Sequence, residues 1–233
     1  MKLLIANRGE IAVRIIRACR EMGIGTVAVY SEADRTAPHV LMADQSFPIG
    51  PAEAARSYLD ADRLLAAAAA GGAALLHPGY GFLAENAAFA ERVEAAGLTW
   101  VGPPPPAMRL MGSKTESRKL AAAAGVPLIP GLMKPIEDPS EIEAFVDQHG
   151  LPVLLKAVAG GGGKGMRTVH ERRDLAGAWE RARSEGLAYF GDPGVYVERL
   201  VDRPRHIEVQ VAADRHGDAV FVGERECSIQ RRH

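Results

Sequence analysis

Cysteine is scarce. Cys19 and Cys227 are the only two in 233 residues, which excludes a disulfide scaffold and fits a reducing compartment. An excess of either charge is also missing. The 28 Lys and Arg stand against 29 Asp and Glu, a net charge of -1. No basic surplus points to nucleic acid or to an anionic membrane surface, although a local cluster such as Arg231-Arg232 could meet a phosphate-bearing ligand. Long apolar runs are missing too. The longest soft run, Leu64 to Ala70, stops at Gly71-Gly72 and reads as a helix with its C-cap. It falls short of the ~18 apolar residues that span a bilayer. Leu3-Leu4-Ile5-Ala6 is closed at once by Asn7-Arg8-Gly9-Glu10, so no signal peptide is expected and the expected compartment is the cytoplasm. Metal-ligand spacings of His and Cys are lacking as well.

What remains is ordinary globular composition, 47% hydrophobic and 24% charged, with no disordered bias. The first hundred residues alternate short apolar runs with helical patterns. Strands are expected over Lys2 to Ala6, Thr26 to Tyr30, Ala73 to Leu76 and Leu98 to Val101. Helices are expected over Gly9 to Met22, with Ile11, Ile15, Ala18 and Met22 on its apolar face, and over Asp60 to Ala70 and Asn86 to Ala96. This β-α-β rhythm predicts a parallel sheet with helices on its faces. Gly102-Pro103-Pro104-Pro105-Pro106 is the expected seam.

Beyond the seam, helices are expected over Thr115 to Ala124 and from about Ser140 to Gln148, where Ser140 and Glu143 spell a capping box. After Leu151 the texture turns α+β. Strands are expected over Pro152 to Ala157 and Met166 to Val169 around a Gly160 to Gly165 loop, followed by a helix over roughly Arg173 to Glu185. Three β-rich runs follow: Val195 to Leu200, Ile207 to Ala213 and Ala219 to Ile229. Asp214 to Asp218 is the hairpin turn between the last two.

The strongest chemical signal is Lys156-Ala157-Val158-Ala159-Gly160-Gly161-Gly162-Gly163-Lys164-Gly165-Met166. A glycine backbone approaches a ligand closely, and its N–H groups can converge on phosphate oxygens. A P-loop requires Ser or Thr after the final Gly-Lys, and Gly165 stands there. A dinucleotide-binding loop requires a following helix, and Met166-Arg167-Thr168-Val169 reads as a strand. A hairpin flap over a nucleotide phosphate tail remains, with a ligand-free surface hairpin as the alternative. Lys156 ends an apolar strand and calls for an anionic partner, unless it snorkels at the sheet edge.

Other segments speak more softly. In Val195-Tyr196-Val197-Glu198-Arg199-Leu200-Val201, Glu198 and the backbone after it could meet an adenine edge. Taken alone, Glu198 is more often a surface carboxylate. Alternation puts Ile207, Val209 and Val211 on one face and His206, Glu208 and Gln210 on the other. That polar row suits ribose and phosphate contacts or a solvated face about equally. Glu224 to His233 is dense in charge for a structural strand. Cys227 lies at no nucleophile spacing and fits a wall or core position. His77-Pro78-Gly79-Tyr80-Gly81-Phe82-Leu83-Ala84-Glu85-Asn86 places a fixed turn at the carboxyl end of a buried strand, where α/β folds bind ligands.

Taken together, these runs resemble the biotin carboxylase family of the ATP-grasp superfamily. The resemblance rests on Ile5 to Ala12, His77 to Asn86, Met111-Gly112-Ser113-Lys114, Lys156 to Met166, Arg205 to Val211 and Glu224 to His233 in order. Ala157-Val158-Ala159 is closer to the acetyl-, propionyl- and acyl-CoA carboxylase α-subunits than to the stand-alone subunit. The resemblance implies an α/β fold: a doubly wound parallel pre-ATP-grasp sheet over 1–112, then an α+β ATP-grasp domain over 113–233 with a glycine-loop subdomain at about 128–200. It implies ATP phosphates on Lys114 and Lys156, with Gly162 and Gly163 over the phosphate tail. Adenine would lie against Glu198, Arg199, Leu200 and Val201, and ribose and phosphate near His206 and Gln230. His233 would border the active site, and Tyr80 and Gly81 would lie near biotin.

The implied reaction uses ATP and bicarbonate to carboxylate carrier-bound biotin through carboxyphosphate. The implied partners are a biotin carboxyl carrier domain, a carboxyltransferase subunit and a second copy of the chain. The family's Mg²⁺ ligands and catalytic residues are expected downstream of His233. The ending at Arg231-Arg232-His233 therefore fits a fragment with a truncated ATP-grasp domain, inactive on its own. The alternatives are another ATP-grasp ligase, of carbamoyl-phosphate type, and a non-catalytic nucleotide-binding module.

Overall fold

A computed structural model describes residues 1–159, 165–214 and 216–229. The chain forms two compact units, Met1–Met111 and Gly112 onward.

The first unit carries β1 (Lys2–Ile5), α1 (Gly9–Glu21), β2 (Gly25–Ser31), α2 (Pro38–Met42), β3 (Gln45–Gly50), α3 (Ala61–Gly71), β4 (Leu75–His77), α4 (Ala87–Ala95) and β5 (Thr99–Trp100). The five strands make one parallel sheet in the order β3-β2-β1-β4-β5. Strand alternation sorts the core into two faces. Leu4 and Ala6 join α3 and α4 through Leu64, Ala68, Phe89 and Val93. Leu3 and Ile5 join α1 through Ala12, Ile15, Ile16 and Cys19. Helices on both faces cover the sheet, as parallel strands require, and the doubly wound expectation holds. The strand order reverses between β1 and β4, so their carboxyl ends flank the crevice where such sheets bind ligands.

The second unit begins within α5 (Pro105–Gly112) and continues through α6 (Lys114–Ala123), α7 (Pro139–His149), β6 (Val153–Ala157), β7 (Met166–Val169), α8 (Leu175–Phe190), β8 (Val195–Arg199), β9 (Ile207–Ala213) and β10 (Ala219–Glu226). β7, β6 and β8 form an antiparallel sheet, and β9 and β10 a separate hairpin. One face of the three-stranded sheet is oily. Val153, Leu155, Val195 and Val197 pack there on Ile142 and Phe145 of α7 and Trp179 of α8. The Asp214–Asp218 turn closes as expected: the Asp214 N–H donates to Asp218 O at 3.0 Å, and Asp214 Oδ1 accepts from Asp218 N at 3.1 Å.

Four expectations need correction. The buried face of α1 is Ala12, Ile15, Ile16 and Cys19, while Met22 is 71% exposed. Ile11, Ala18 and Met22 line an open apolar groove of about 450 Å³ beside that face. The capping box on α7 belongs to Asp138 and Glu141. Pro139 lacks an N–H and has a preset helical φ, so it starts the helix earlier. α5 forms where the proline run suggested irregular chain, because Pro105 and Pro106 fall in a first turn that needs no intrahelical N–H donors. Finally, β10 ends at Glu226 rather than Ile229. No helix among the described residues is long and apolar enough to cross a membrane.

Gly71 ends α3 against β2. A Cβ there would lie 2.8 and 2.9 Å from the Val27 methyl groups and 3.3 Å from the Phe47 ring. Alanine gains up to about 1 kcal/mol of helix propensity, but overpacking costs about 1–3 kcal/mol. Gly71→Ala is expected to lower stability in urea unfolding, although it improves the local helix.

Candidate functional site

In the second unit, alternation gives the three-stranded sheet a polar face opposite the oily one. Leu155 and Val197 point to the core, so Lys156, Tyr196 and Glu198 point the other way. Register places Lys156 opposite Tyr196 and Leu154 opposite Glu198, which makes Lys156 and Glu198 diagonal neighbours. Their side chains form an ion pair. Arg118, one turn into α6, brings a second cation 3.5 Å from Glu198 Oε2, and the Tyr196 hydroxyl donates to the same oxygen at 3.1 Å.

This arrangement leaves the Glu198 side chain only 6% exposed. Burial, then the charge of Glu198, pushes the Tyr196 phenol well up, so it stays a protonated donor. Gly131 bridges Glu198, and a Cβ on it would lie 2.9 Å from both Arg118 Nη2 and Glu198 Cβ. Two cations share one anion, so the cluster is net positive. Lys156 therefore has the anionic partner its position called for.

Lys114 opens α6 behind its N-cap Ser113, and its N–H donates to Val158 O at 3.2 Å. The α6 N-terminus and the end of β6 thus meet just before residue 160. Gly162, Gly163, Gln230 and His233 lie outside the described residues. In the 198–201 segment, the Arg199 N–H donates to Pro130 O at 2.9 Å and the Leu200 N–H to Pro152 O at 3.2 Å, while Val201 is exposed. His206 is exposed on the hairpin. Its N–H donates to Ser228 Oγ at 3.0 Å, and its ring Nε2 lies 3.8 Å from Glu208. Glu208 pairs with Arg225 across the strands. Ile207, Val209 and Val211 are exposed as well, so β9 has no oily face of its own among the described residues.

In the first unit, the crevice between β1 and β4 is a cleft of about 370 Å³ lined by 7–11 and 80–82. The Tyr80 hydroxyl donates to the Glu10 carboxylate, and Gly81 O accepts from Ala84 N at 2.8 Å. Arg8 lies 3.0 Å from Asp34 and stands over the Tyr58 and Phe82 rings at 5.3 and 5.6 Å. Those rings stack at 5.1 Å. Burial alone would raise the Asp34 carboxyl. Hydrogen bonds from Tyr58, Arg8 and Ser31, with the Arg8 charge, outweigh it and hold the carboxyl below the usual range. Burial also pushes the Tyr58 phenol up to about 12.

Sequence reading missed Arg118, Arg8, Asp34 and Tyr58 in these roles. The one available signal was the pairing of Tyr196 and Glu198 at i and i+2 on a strand. Among the described residues, no three His, Cys, Asp or Glu side chains gather to hold a metal ion.

A doubly wound sheet with its switch-point crevice, followed by an antiparallel sheet whose polar face ends at a lysine and a glycine segment, defines an ATP-grasp protein with its preceding domain. The chain belongs to the biotin carboxylase family. Residues 1–108 match the biotin carboxylase N-terminal domain, and residues 113–233 match the carbamoyl-phosphate synthase L chain ATP-binding domain. Biotin carboxylase from Pseudomonas aeruginosa is 51% identical over the whole chain and 52% of its own length. A biotin carboxylase–β,γ-ATP complex from Campylobacter jejuni matches with a TM-score of 0.95 and 45% identity, covering 100% of this chain and 52% of that one. The biotin carboxylase domain dimer of Hydrogenobacter thermophilus 2-oxoglutarate carboxylase, with MgADP, ADP and bicarbonate, matches at 0.92 and 46% identity over 99% and 51%. The chain spans about half the length of the curated relatives it matches.

Glu198→Gln removes the one anion between two buried cations. It is expected to cost about 3 kcal/mol, read as a lower urea midpoint of the second unit.

Acid should act on the first unit in two windows. His39 is fully buried, and burial holds its imidazole below the ordinary 6.5. The unfolded chain therefore takes up that proton first, and stability falls as pH drops below about 6.5. Asp34 is shifted down, so its contribution is present above the ordinary carboxylate value of 3.8 and is lost as pH falls through its lower folded value. Urea unfolding across pH should show both limbs. His39→Leu should flatten the upper limb in part, because His77 is also held down by burial, and should leave the lower limb.

Proposed function

We propose that the protein carries out the ATP-dependent carboxylation of carrier-bound biotin, the first half-reaction of a biotin-dependent acyl-CoA carboxylase. Bicarbonate oxygen attacks the γ-phosphorus of ATP, and the bond to ADP breaks. The resulting carboxyphosphate gives its carboxyl carbon to a biotin ring nitrogen as phosphate leaves. Phosphoryl transfer of this kind depends on positioning and on cations that meet developing charge.

The observation that carries this reading is Lys156: a half-buried lysine ending β6, already in a net-positive cluster, immediately before a lysine-bearing glycine segment. An ammonium has three donors and Glu198 needs one, so phosphate oxygens are a natural second partner. Lys114, at the head of α6, takes the same ligand. Gly162 and Gly163 are assigned to the phosphate tail on sequence grounds, as are Gln230 and His206 to the ribose and phosphate region and His233 to the active-site border.

Adenine is assigned to the 198–201 segment through its backbone. The Glu198 carboxylate is occupied, and the N–H groups of Arg199 and Leu200 are committed, which leaves carbonyls and Val201. Tyr80 and Gly81 are assigned to the biotin end, at the switch-point cleft. On this reading 1–112 is the biotin carboxylase N-terminal domain, and 113–233 is ATP-grasp with a glycine-loop subdomain at about 128–200. Magnesium accompanies ATP and is assigned no ligand among these residues. The partners are a biotin carboxyl carrier domain, a carboxyltransferase subunit that sets the final acceptor, and a second copy of the chain. The compartment is the cytoplasm.

The product of the full reading frame should hydrolyse ATP in a bicarbonate-dependent manner, and free biotin should stimulate it. Hydrolysis without biotin stimulation favours a carbamoyl-phosphate-type ligase. Lys156→Met is expected to raise KM for ATP at least about tenfold, the loss of about 1.4 kcal/mol of binding, with its melting curve retained. A folded variant with unchanged ATP affinity would instead favour a non-catalytic nucleotide-binding module.

A further inference from the structure

Asn7 is the first residue after the run of buried apolar side chains in β1, and it is only 4% exposed. A buried amide is costly unless its donors and acceptor are met. Here they are met by one loop and one neighbour. Asn7 Nδ2 donates to Pro78 O at 2.7 Å and to Tyr80 O at 2.8 Å, and Oδ1 accepts from the Arg8 N–H at 2.9 Å. The two carbonyls flank Gly79, which is in the left-handed region at φ 66, and a Cβ on Gly79 would lie 2.7 Å from that same Nδ2. The loop is therefore wrapped around the amide, with no room for a larger residue at its centre.

A second restraint holds the far side of the same loop. Phe82 has φ 41, a backbone conformation that costs a non-glycine residue of order 1–3 kcal/mol. Its ring is held by the stack on Tyr58 and by the Arg8 guanidinium. Adjacent residues of one strand end thus grip the loop on both sides of Tyr80 and Gly81. Asn7 grips it through backbone carbonyls and Arg8 through a ring.

We infer that Asn7 is a positioning residue: its side-chain amide sets where Tyr80 and Gly81 stand in the switch-point cleft, and so governs affinity for the biotin ring and not for ATP. The inference rests on the assignment of Tyr80 and Gly81 to biotin made above. A residue that merely supported the fold would lower activity toward all substrates together, whereas a positioning residue splits them.

The test uses the product of the full reading frame with free biotin as the probe. Asn7→Asp keeps the size and the acceptor for Arg8 but turns both donors into an oxygen facing two carbonyls. Its KM for biotin should rise about tenfold or more, while KM for ATP and the bicarbonate-dependent hydrolysis without biotin stay near wild type. Should Asn7→Asp fail to fold, Asn7→Ser, which keeps one donor, should show the same split with a smaller rise. An unchanged KM for biotin in a folded variant, or an equal change in KM for biotin and ATP, overturns the inference and leaves the function standing on the Lys156 result. A wild-type protein that hydrolyses ATP without any response to biotin overturns the reading of the cleft itself, and with it this inference.

Discussion

A charged carboxylate cannot be buried alone, and Glu198 organises its unit around that constraint. Removing it from water costs several kcal/mol unless cations and donors replace the solvent. Lys156, Arg118 and the Tyr196 hydroxyl do so from β6, α6 and β8. Each partner fixes something else as well. Lys156 holds the end of the strand that leads into the glycine segment. Arg118 spans to Ile129 O at 2.6 Å and so ties α6 to the turn before α7. Gly131 is kept small by the same cluster. The cluster therefore serves a structural need first. Its surplus positive charge is what makes it suited to an anionic ligand.

The first unit solves a different problem, that of ending a parallel strand beside a crevice. Where β1 and β4 diverge in connection, the backbone groups of the following loops lose their sheet partners. Asn7 supplies donors for two carbonyls of the β4 loop, and the Ala6 N–H meets His77 O at 2.9 Å. The loop that results is rigid at Pro78 and Phe82 and presents Tyr80, 61% exposed, between them. Exposure of an aromatic ring on a loop held at both ends is the arrangement expected of a binding surface and not of a loose connection.

Much of the fold was legible because its signals are local. Strand alternation, glycine stops and strand-helix rhythm gave the parallel sheet, and the Lys2 to Ala6 and Val153 to Ala157 runs needed no long-range information. Other elements hid for physical reasons. β3 contains Gln45, Ser46 and Pro48 and lies at the sheet edge, where partial burial relaxes the apolar pattern. On α1, Ile11, Ala18 and Met22 share a periodicity with the true core positions but line an open groove beside them, so periodicity alone could not choose the buried face. The site was legible only where its residues cluster in sequence. Lys156 and the glycines announce themselves in one run, whereas Arg118 meets Glu198 across 80 positions and Asp34 meets Arg8 across 26. No spacing rule reaches that far.

The same reasoning separates two kinds of lysine-glycine loop that share a composition. In a P-loop the helix following the glycines supplies the N-terminal dipole and the hydroxyl that meet the phosphate and its metal. Here the segment after the glycines is β7, paired antiparallel with β6, and a strand offers neither. Positive charge must then come from neighbouring elements: from Lys156 on the preceding strand and from the head of α6, where Lys114 follows the cap at Ser113 and its N–H reaches Val158. A loop that borrows its electrostatics from a separate helix binds phosphate only while α6 and β6 stay in register. The buried Arg118–Glu198–Lys156 cluster joins those two elements.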